Sequence, residues 1–337
     1  MAPEPKSNVP IVFGAMTIGK EGAEQARVHS LSEAKNILDI FTSHGHTEID
    51  TSRVYGGGSC ESYLAQCNWV GRGLAMETKM YPTGIANIPN IEKFHFTAAD
   101  MRENLERSLK ALGTDKVDMW YLHAPDRTTP VETTLKAADE LYREGKFRRF
   151  GISNYMAWEV AQICELCEHN GWVKPVVYQG IYNGIHRTVE QELFPCLRKY
   201  GMAFYAYNPL AGGFLTDRYH RDVTEVEPGS RFDASRWQGK GYRARYWNDA
   251  YFDGLDLIRE AAKKHGLTEA ECALRWMTHH SLLKKGNGDA VIIGASSGKQ
   301  LEQNLVDLEK SPLPDDVLSA FDQAWEKVRG LSWKYWH

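Results

Sequence analysis

Several features that define whole classes of protein are missing from this sequence. No run in its 337 residues approaches the roughly 18 apolar residues that a membrane-spanning helix needs. The first ten residues have no apolar core of the kind that a secretory signal peptide carries. Cysteine is sparse, with six scattered residues, which suits a reducing compartment and argues against a disulfide framework. We therefore expect a cytoplasmic protein without a membrane partner.

The sequence also lacks a large excess of positive or negative charge. The 40 Lys and Arg residues and 44 Asp and Glu residues leave a net charge of −4 and a pI near 6.3. This balance gives no electrostatic reason to expect nucleic acid or an anionic membrane as a partner. The chain is long enough for two domains or for one α/β barrel. Because it contains no linker or low-complexity segment, we predict a single domain over 1–337.

Strand-like apolar runs alternate with helical patterns along the chain. The eight runs are Ile11–Gly14, Thr47–Asp50, Leu74–Lys79, Val117–His123, Phe147–Ser153, Val176–Ile181, Met202–Tyr207 and Ala290–Ala295. This alternation predicts a parallel α/β sheet, either open and doubly wound or closed as a (β/α)8 TIM barrel. The glycine motif G-x-G-x-x-G that usually accompanies an open dinucleotide-binding sheet is absent. We therefore predict the barrel.

The regions outside the regular alternation have their own predictions. Residues 1–8 would be an N-terminal extension, and 309–337 a C-terminal helix and tail. The stretch 209–249 after the seventh strand is a long loop rich in Gly, Arg and aromatic residues, and we predict that it docks as a lid. Capping signals also bound two helices. One lies between Thr97 and Gly113, and another begins after an N-cap at Thr129.

Four reactive side chains lie near the ends of three consecutive predicted strands. Three of them end a strand, and the fourth follows the first of these strands by one short loop. They are Asp50, Tyr55, Lys79 and His123. Because all strands of a parallel barrel end at the same rim, these groups should lie close together. Asp50 would hold the Lys79 ammonium, which in turn would lower the pKa of the Tyr55 phenol from its usual value of ~10.

Such a cluster is suited to proton donation. Tyr55 would act as a general acid toward a carbonyl oxygen, and His123 would polarise the same carbonyl as a neutral donor. The cluster has no electron source of its own, and a nicotinamide cofactor is the usual hydride donor. Taken singly, Asp50 and Lys79 could be a structural ion pair and Tyr55 a loop aromatic. Their positions on consecutive strand ends favour the functional interpretation.

One motif predicts a different chemistry. The segment Gly294-Ala-Ser296-Ser-Gly298 matches the G-x-S-x-G nucleophile elbow of serine hydrolases and lies between a predicted strand and helix. A hydrolase would also need an acid and a histidine downstream. Only His337 is available there, so this alternative is weaker, and labelling by a serine-directed probe would support it.

The motifs in and near this cluster are Ile49-Asp50-Thr-Ser-Arg-Val-Tyr55-Gly, Lys79 and His123 after their strands, and Gly151-Ile-Ser153-Asn154. They resemble those of the aldo-keto reductase superfamily. Further segments resemble its branch of aflatoxin-aldehyde and succinic-semialdehyde reductases. These are Phe13-Gly-Ala-Met-Thr-Ile-Gly19, Val117-Asp-Met-Trp-Tyr-Leu-His-Ala-Pro-Asp126, Phe204-Tyr-Ala-Tyr-Asn-Pro-Leu-Ala-Gly-Gly213, Tyr242-Arg-Ala-Arg-Tyr-Trp247 and Gln300-Leu-Glu-Gln-Asn-Leu305.

The resemblance implies NADPH-dependent reduction of aldehydes or ketones to alcohols, without a metal, by a homodimer. The catalytic residues would be Asp50, Tyr55, Lys79 and His123. The residues that would bind NADPH or NADP+ are Asp50, Ser153, Asn154, Gln179, Tyr207, Asn208, Pro209, Leu210, Gly212, Arg218, Arg231, Gly294, Ser296, Gln300, Gln303 and Asn304. Arg231, with Lys299, would meet a 2′-phosphate and so favour NADPH over NADH.

The resemblance also implies a set of substrate-binding residues. They are Met16, Tyr55, His123, Tyr242, Arg245, Trp336 and His337. Arg245 would pair with the carboxylate of a short acidic aldehyde. Members of this branch end in Tyr-Phe-Arg, whereas this chain ends in Tyr335-Trp336-His337, which also favours aromatic, dicarbonyl or larger carbonyl substrates. The role would lie in detoxification or secondary metabolism. The alternative within the same fold is a non-catalytic, NADPH-sensing regulatory subunit.

Overall fold

The computed structural model describes residues 4–86, 92–223 and 225–337. Eight parallel strands form a closed barrel in which each strand pairs with its neighbours in chain order and β8 pairs with β1. The strands are β1 (Ile11–Gly14), β2 (Glu48–Asp50), β3 (Ala75–Met80), β4 (Val117–Leu122), β5 (Phe147–Ser153), β6 (Val177–Ile181), β7 (Ala203–Tyr207) and β8 (Ala290–Ile293). The predicted (β/α)8 TIM barrel is confirmed, and the strands lie within their predicted runs except β3, which extends one residue further to Met80.

Helices connect the strands and cover the outside of the barrel. Within the described residues they are α1 (Leu31–Ser43), α2 (Cys60–Gln66), α3 (Ala98–Leu112), α4 (Val131–Arg143), α5 (Ala157–Asn170), α6 (Leu193–Lys199), α7 (Trp237–Tyr246), α8 (Asp249–Lys264), α9 (Glu269–Arg275), α10 (Gly298–Leu308) and α11 (Asp315–Val328). None of the described helices combines the length and apolar character needed to cross a bilayer. The main hydrophobic core lies between these helices and the strands.

The capping residues of α3 and α4 show how far local sequence determines a helix start. Thr97 accepts a hydrogen bond from the Asp100 amide, as predicted. The predicted N-cap of α4 is wrong, because Pro130 occupies that position. The Thr129 hydroxyl instead donates to a carboxylate oxygen of Asp126 at 2.8 Å. A carboxylate three residues earlier in the chain therefore engages the hydroxyl that was predicted to cap the helix.

The predicted lid over 209–249 is only partly correct. The segment contains α7, and Tyr246 is fully buried, but Trp237 is 72% exposed and does not dock. Within α7, Gly239 lies where a side chain would clash with the preceding turn. A Cβ at Gly239 would lie 1.8 Å from the Asp233 carbonyl oxygen, so the missing side chain lets α7 lie against the preceding turn.

The C-terminal helix and the tail have the expected order. After α11, Tyr335 is buried, and its hydroxyl donates to Glu192 at 2.5 Å and accepts a hydrogen bond from the Ala157 amide at 3.0 Å. Trp333, however, is 42% exposed. One aromatic residue therefore anchors the tail to the start of α5, while another stays in contact with solvent.

The interior of the barrel holds a polar cluster. The Tyr121 hydroxyl donates to one carboxylate oxygen of Glu77 at 3.1 Å, and the other oxygen has no hydrogen bond among the described residues. Arg149 and the Tyr205 hydroxyl both bond to Glu48. Burial raises the pKa of Glu77 well above its usual value, and the negative charge of Glu48 raises it further. Burial and the neighbouring Glu48 carboxylate therefore favour the protonated form of the Glu77 carboxyl group.

This proton makes stability depend on pH. Because the pKa of Glu77 is raised in the folded state, the folded protein holds a proton that the unfolded chain loses above about pH 4.5, and stability falls as pH rises beyond that value. Glu77→Gln should therefore raise the thermal midpoint at pH 8 relative to wild type and not at pH 4. Circular dichroism melts across this range would measure the difference. The exposed Glu326→Gln is the matched control, and equal effects of Glu77→Gln at both pH values would contradict the proton assignment.

Candidate active site

The barrel brings the four predicted side chains together at the carboxyl-terminal rim. Asp50 is the last residue of β2, Lys79 lies in β3, and His123 follows β4 directly. The Lys79 ammonium donates to an Asp50 carboxylate oxygen at 2.7 Å and to the Thr51 carbonyl at 2.7 Å. Its third hydrogen bond goes to the Tyr55 hydroxyl at 3.3 Å. All three ammonium hydrogens thereby have an acceptor, and one of these acceptors is the Tyr55 phenol.

The charge states of this cluster follow from burial and from the ion pair. Burial alone would lower the pKa of the Lys79 ammonium, but the Asp50 carboxylate and Tyr55 raise it overall. Burial raises the pKa of the Tyr55 phenol by more than Lys79 lowers it. The expected net lowering for Tyr55 is therefore wrong, because the desolvation of a fully enclosed phenol outweighs one neighbouring charge. Tyr55 is a protonated phenol beside an ammonium.

His123 completes the cluster as a neutral imidazole. Burial lowers its pKa well below the usual value, and the positive charge of Lys79 lowers it further. Its ring meets the Tyr55 and Tyr81 rings edge-on, with centroids 5.8 and 5.5 Å apart. The Ser52 hydroxyl lies 3.2 Å from its Nδ1 atom. Ser52 and Tyr81 were missed in the sequence, although both stand within three residues of a predicted site residue.

The ends of β5, β6 and β7 continue the polar rim. Asn154 has a left-handed backbone, with φ of 66°, and its amide nitrogen donates to the His123 carbonyl at 2.8 Å and to the Ser153 hydroxyl at 2.9 Å. The Gln179 amide donates to Asp50 at 2.8 Å, so it supports the ion pair directly. The Tyr207 hydroxyl donates to the Asn154 side-chain oxygen at 3.1 Å. The residues predicted for the nicotinamide end thus form one hydrogen-bonded network with the cluster.

The loop after β7 begins Asn208-Pro209-Leu210 and turns at Gly212. Asn208 and Gly212 have left-handed backbones, with φ of 68° and 73°. Gly212 is required here because a Cβ would lie 2.3 Å from the Tyr242 ring. The Tyr242 hydroxyl accepts a hydrogen bond from Arg231 at 2.8 Å. Arg218 lies on the surface and contacts Glu227 at 3.4 Å, where solvent weakens the ion pair.

The end of β8 and the start of α10 carry the remaining predicted residues. Gly294 follows β8, and the Ser296 amide and hydroxyl both donate to the Gln300 side-chain oxygen, at 2.8 and 3.0 Å. Gln303 is exposed and bonds to Asp307 on its own helix. Asn304 is 5% exposed, and its amide nitrogen has no hydrogen-bond partner within the described part of the chain.

These residues fit an anionic dinucleotide. A buried amide without a partner is costly, so Asn304 is suited to an external acceptor. The helix α10 starts at the rim beside β8, where α/β barrels commonly bind phosphate. Arg231 forms no ion pair with any carboxylate that the structure describes. The same geometry weighs against the hydrolase alternative, because the Ser296 hydroxyl bonds to an amide oxygen and not to a histidine.

The predicted substrate residues lie on the loops and the tail. The Gln238 amide approaches the Met16 sulfur at 4.0 Å, so α7 reaches the turn that follows β1. The His337 amide donates to the Asn154 carbonyl at 3.3 Å, and the Trp336 ring lies 5.8 Å from the Arg127 guanidinium. The end of the tail therefore contacts the rim directly.

Arg245 on α7 is partly buried among aromatic rings. Its guanidinium lies 5.9 Å from the Tyr242 ring, 6.0 Å from the Tyr246 ring and 5.2 Å from the Trp333 ring. Its Nε atom is buried without a hydrogen bond, and no carboxylate pairs with it in the described ranges. A partly buried cation without a described counter-ion is costly, so this position is suited to an anionic group from outside the chain.

Comparison with known proteins shows the family. The model of the Aldo/keto reductase family matches residues 10–326. The aldo-keto reductase pigE of Monascus ruber is 50% identical over 337 residues, which cover 99% of this chain and 98% of that protein. Human aldo-keto reductase family 7 member A3 is 45% identical over 94% of both chains. Human aflatoxin B1 aldehyde reductase member 4 is 45% identical over 93% of both chains. The chain therefore belongs to the aldo/keto reductase family of oxidoreductases, as the motifs predicted.

Proposed function

We propose that this protein reduces aldehydes or ketones to alcohols with NADPH, using Tyr55 as the general acid. The observation that carries the proposal is the Lys79 ammonium, which bonds to both Asp50 and the Tyr55 hydroxyl at the barrel rim. That arrangement has the parts needed to deliver a proton to a carbonyl oxygen. Proton donation of this kind contributes roughly 10²–10⁴ in rate.

The raised pKa of Tyr55 bears on how it would donate a proton. A phenol with a raised pKa is protonated at neutral pH, so the proton is present before the reaction, and its donation depends on charges that stabilise the phenolate as it forms. After it gives up the proton, the phenolate lies 3.3 Å from the Lys79 ammonium, which stabilises it. Asp50 keeps that ammonium charged and in place. Lys79 therefore acts mainly on the phenolate that forms.

His123 would orient the carbonyl. Its lowered pKa keeps the ring neutral, so it carries one N–H and can donate a hydrogen bond without competing as a second acid. A donor aimed at the developing oxyanion stabilises the transition state more than the bound substrate.

NADPH, when bound, would supply the hydride. Ser153, Asn154 and Gln179 would hold its nicotinamide amide, with Tyr207 against the ring. The pyrophosphate would lie along Asn208, Pro209, Leu210, Gly212 and Arg218, and the adenosine end against Arg231, Gly294, Ser296, Gln300, Gln303 and Asn304. Arg231 supports a preference for NADPH, since guanidinium matches phosphate geometry. If the Arg218 guanidinium bound the pyrophosphate, only its exposed ion pair with Glu227 would be lost, at little cost in free energy.

Arg245 and the relatives support a proposal for the substrate class. One relative is named an aldo-keto reductase and another an aflatoxin B1 aldehyde reductase, which supports an aldehyde as substrate here. Arg245 supports a carbonyl compound with a carboxylate, whereas Met16, Trp336 and His337 offer apolar and aromatic contacts. A role in detoxification or secondary metabolism agrees with this breadth.

A carbonyl panel tests the proposal. NADPH oxidation at 340 nm would be followed with succinic semialdehyde, 4-nitrobenzaldehyde and phenanthrenequinone, which represent acidic, aromatic and dicarbonyl compounds. We expect turnover with at least one class, and a larger KM for NADH than for NADPH. If NADPH binds and no carbonyl is reduced, the proposal is wrong and the regulatory alternative is supported. The single domain, the dimer and the cytoplasmic location stay predictions.

A further inference from the structure

The turn that carries Tyr55 is built from residues with little intrinsic order. Tyr55 is followed by Gly56, Gly57 and Gly58, and all three have left-handed backbones, with φ of 57°, 61° and 89°. Glycine populates many backbone conformations in the unfolded chain, so three in succession form a turn that local preference alone does not fix. The position of the Tyr55 hydroxyl must therefore be set by contacts from outside the turn.

Arg53 makes these contacts. One guanidinium nitrogen donates to the Gly58 carbonyl at 3.0 Å, and another donates to the carboxylate of Glu61. The packing at the turn is close, because a Cβ at Gly58 would lie 2.6 Å from the Arg53 guanidinium. The backbone amide of Arg53 also donates to the Lys79 carbonyl at 3.2 Å. Arg53 therefore touches the far side of the glycine turn and the strand that carries Lys79.

Glu61 connects Arg53 to the strand that carries Lys79. Its carboxylate is fully buried, and the second oxygen accepts a hydrogen bond from the Thr78 hydroxyl at 2.7 Å. Thr78 is the residue before Lys79 in β3. A continuous path of side-chain hydrogen bonds thus runs from Gly58 through Arg53 and Glu61 to the strand of Lys79.

We propose that Arg53 and Glu61 are positioning residues that hold the Tyr55 hydroxyl within hydrogen-bond reach of Lys79. Neither contacts the substrate or the cofactor in the proposed reaction; they act through Tyr55. The inference rests on the proposed function, since it concerns the proton donor of that reaction. Small displacements matter here, because a misplacement of about 1 Å in a reacting group can cost roughly 100-fold in rate.

The two variants separate positioning from folding. Arg53→Lys keeps a positive charge beside buried Glu61, so it avoids the penalty of an isolated buried carboxylate. A single ammonium lacks the planar fork that reaches Gly58 and Glu61 together. The double variant Arg53→Met with Glu61→Gln removes both charges, and the glutamine can still accept a hydrogen bond from Thr78. Arg72→Lys, at an ion pair with Asp39 on the surface, is the matched control.

The test measures kcat and KM for reduction of 4-nitrobenzaldehyde, the NADPH dissociation constant and the solvent isotope effect on kcat. We expect both Arg53 variants to lower kcat roughly 10- to 100-fold, with KM and NADPH binding nearly unchanged. The solvent isotope effect should increase, because proton transfer from Tyr55 becomes slower than the other steps. Arg72→Lys should match wild type in every measurement.

Two results would overturn the inference. One is a full kcat for Arg53→Lys, and the other is a lower kcat without a larger isotope effect. If the wild-type protein itself reduces no carbonyl with NADPH, the proposed function has failed. If wild type is active and Arg53→Lys equals it, only the positioning role has failed.

Discussion

Tyr55→Phe should lower kcat for carbonyl reduction by roughly 10²–10⁴-fold while leaving NADPH binding nearly unchanged. The substitution removes only the hydroxyl that Lys79 contacts at 3.3 Å, and the ring can keep its edge-on packing against His123. Lys79 retains its bonds to Asp50 and to the Thr51 carbonyl, so the ion pair should survive. Single-turnover rates at saturating NADPH, together with fluorescence quenching by NADPH, would measure both quantities.

The matched control for this variant is Tyr142→Phe, because that phenol lies exposed on α4. It should behave as wild type. If Tyr55→Phe retained more than about a tenth of the activity, the general-acid assignment would be contradicted. Loss of a proton donor is expected to leave about a hundredth of the activity or less. Loss of NADPH binding together with activity would instead assign Tyr55 to the binding site.

Arg245→Met should change substrate preference more strongly than it changes overall activity. Methionine keeps much of the apolar length that packs near Tyr242 and Trp333, but it removes the charge. A hydrogen bond to a charged group contributes about 1.5–3 kcal/mol, so kcat/KM for succinic semialdehyde should fall roughly 10- to 100-fold, mainly through KM. The value for 4-nitrobenzaldehyde, which has no carboxylate, should change little.

Arg243→Met is the control on the same helix. Arg243 bonds to the Phe232 carbonyl and lies 4.4 Å from the Trp247 ring, so it is already engaged within the loop. Its loss should affect both aldehydes alike. A parallel effect of Arg245→Met on the acidic and the neutral aldehyde would exclude a carboxylate contact and would favour the tail, with Trp336 and His337, as the source of selectivity.

The differences between prediction and structure have identifiable causes. Thr129 is a good N-cap by residue type, but Pro130 takes that position, and the Thr129 hydroxyl donates to Asp126, three residues earlier in the chain. The segment that forms α7 contains Gly239, which disfavours helix in isolation, and the helix forms because that glycine permits close packing on Asp233. In both cases a contact with a residue three or six positions earlier in the chain overrides the preference of a single residue type.

The sequence by itself determined the barrel, the family and the four groups at its rim. Strand-forming runs and helix periodicities are local, and in a parallel barrel every strand end is carried to the same face, so position along the chain predicts proximity in space. The tertiary structure alone decided the direction of the pKa shifts of Tyr55 and Glu77 and the hydrogen bonds of Arg53 and Ser52. It also placed Arg245 where none of the described carboxylates pairs with it. These properties depend on burial and on partners far apart in the chain, because electrostatic free energies are set by the surroundings of a group and not by its residue type.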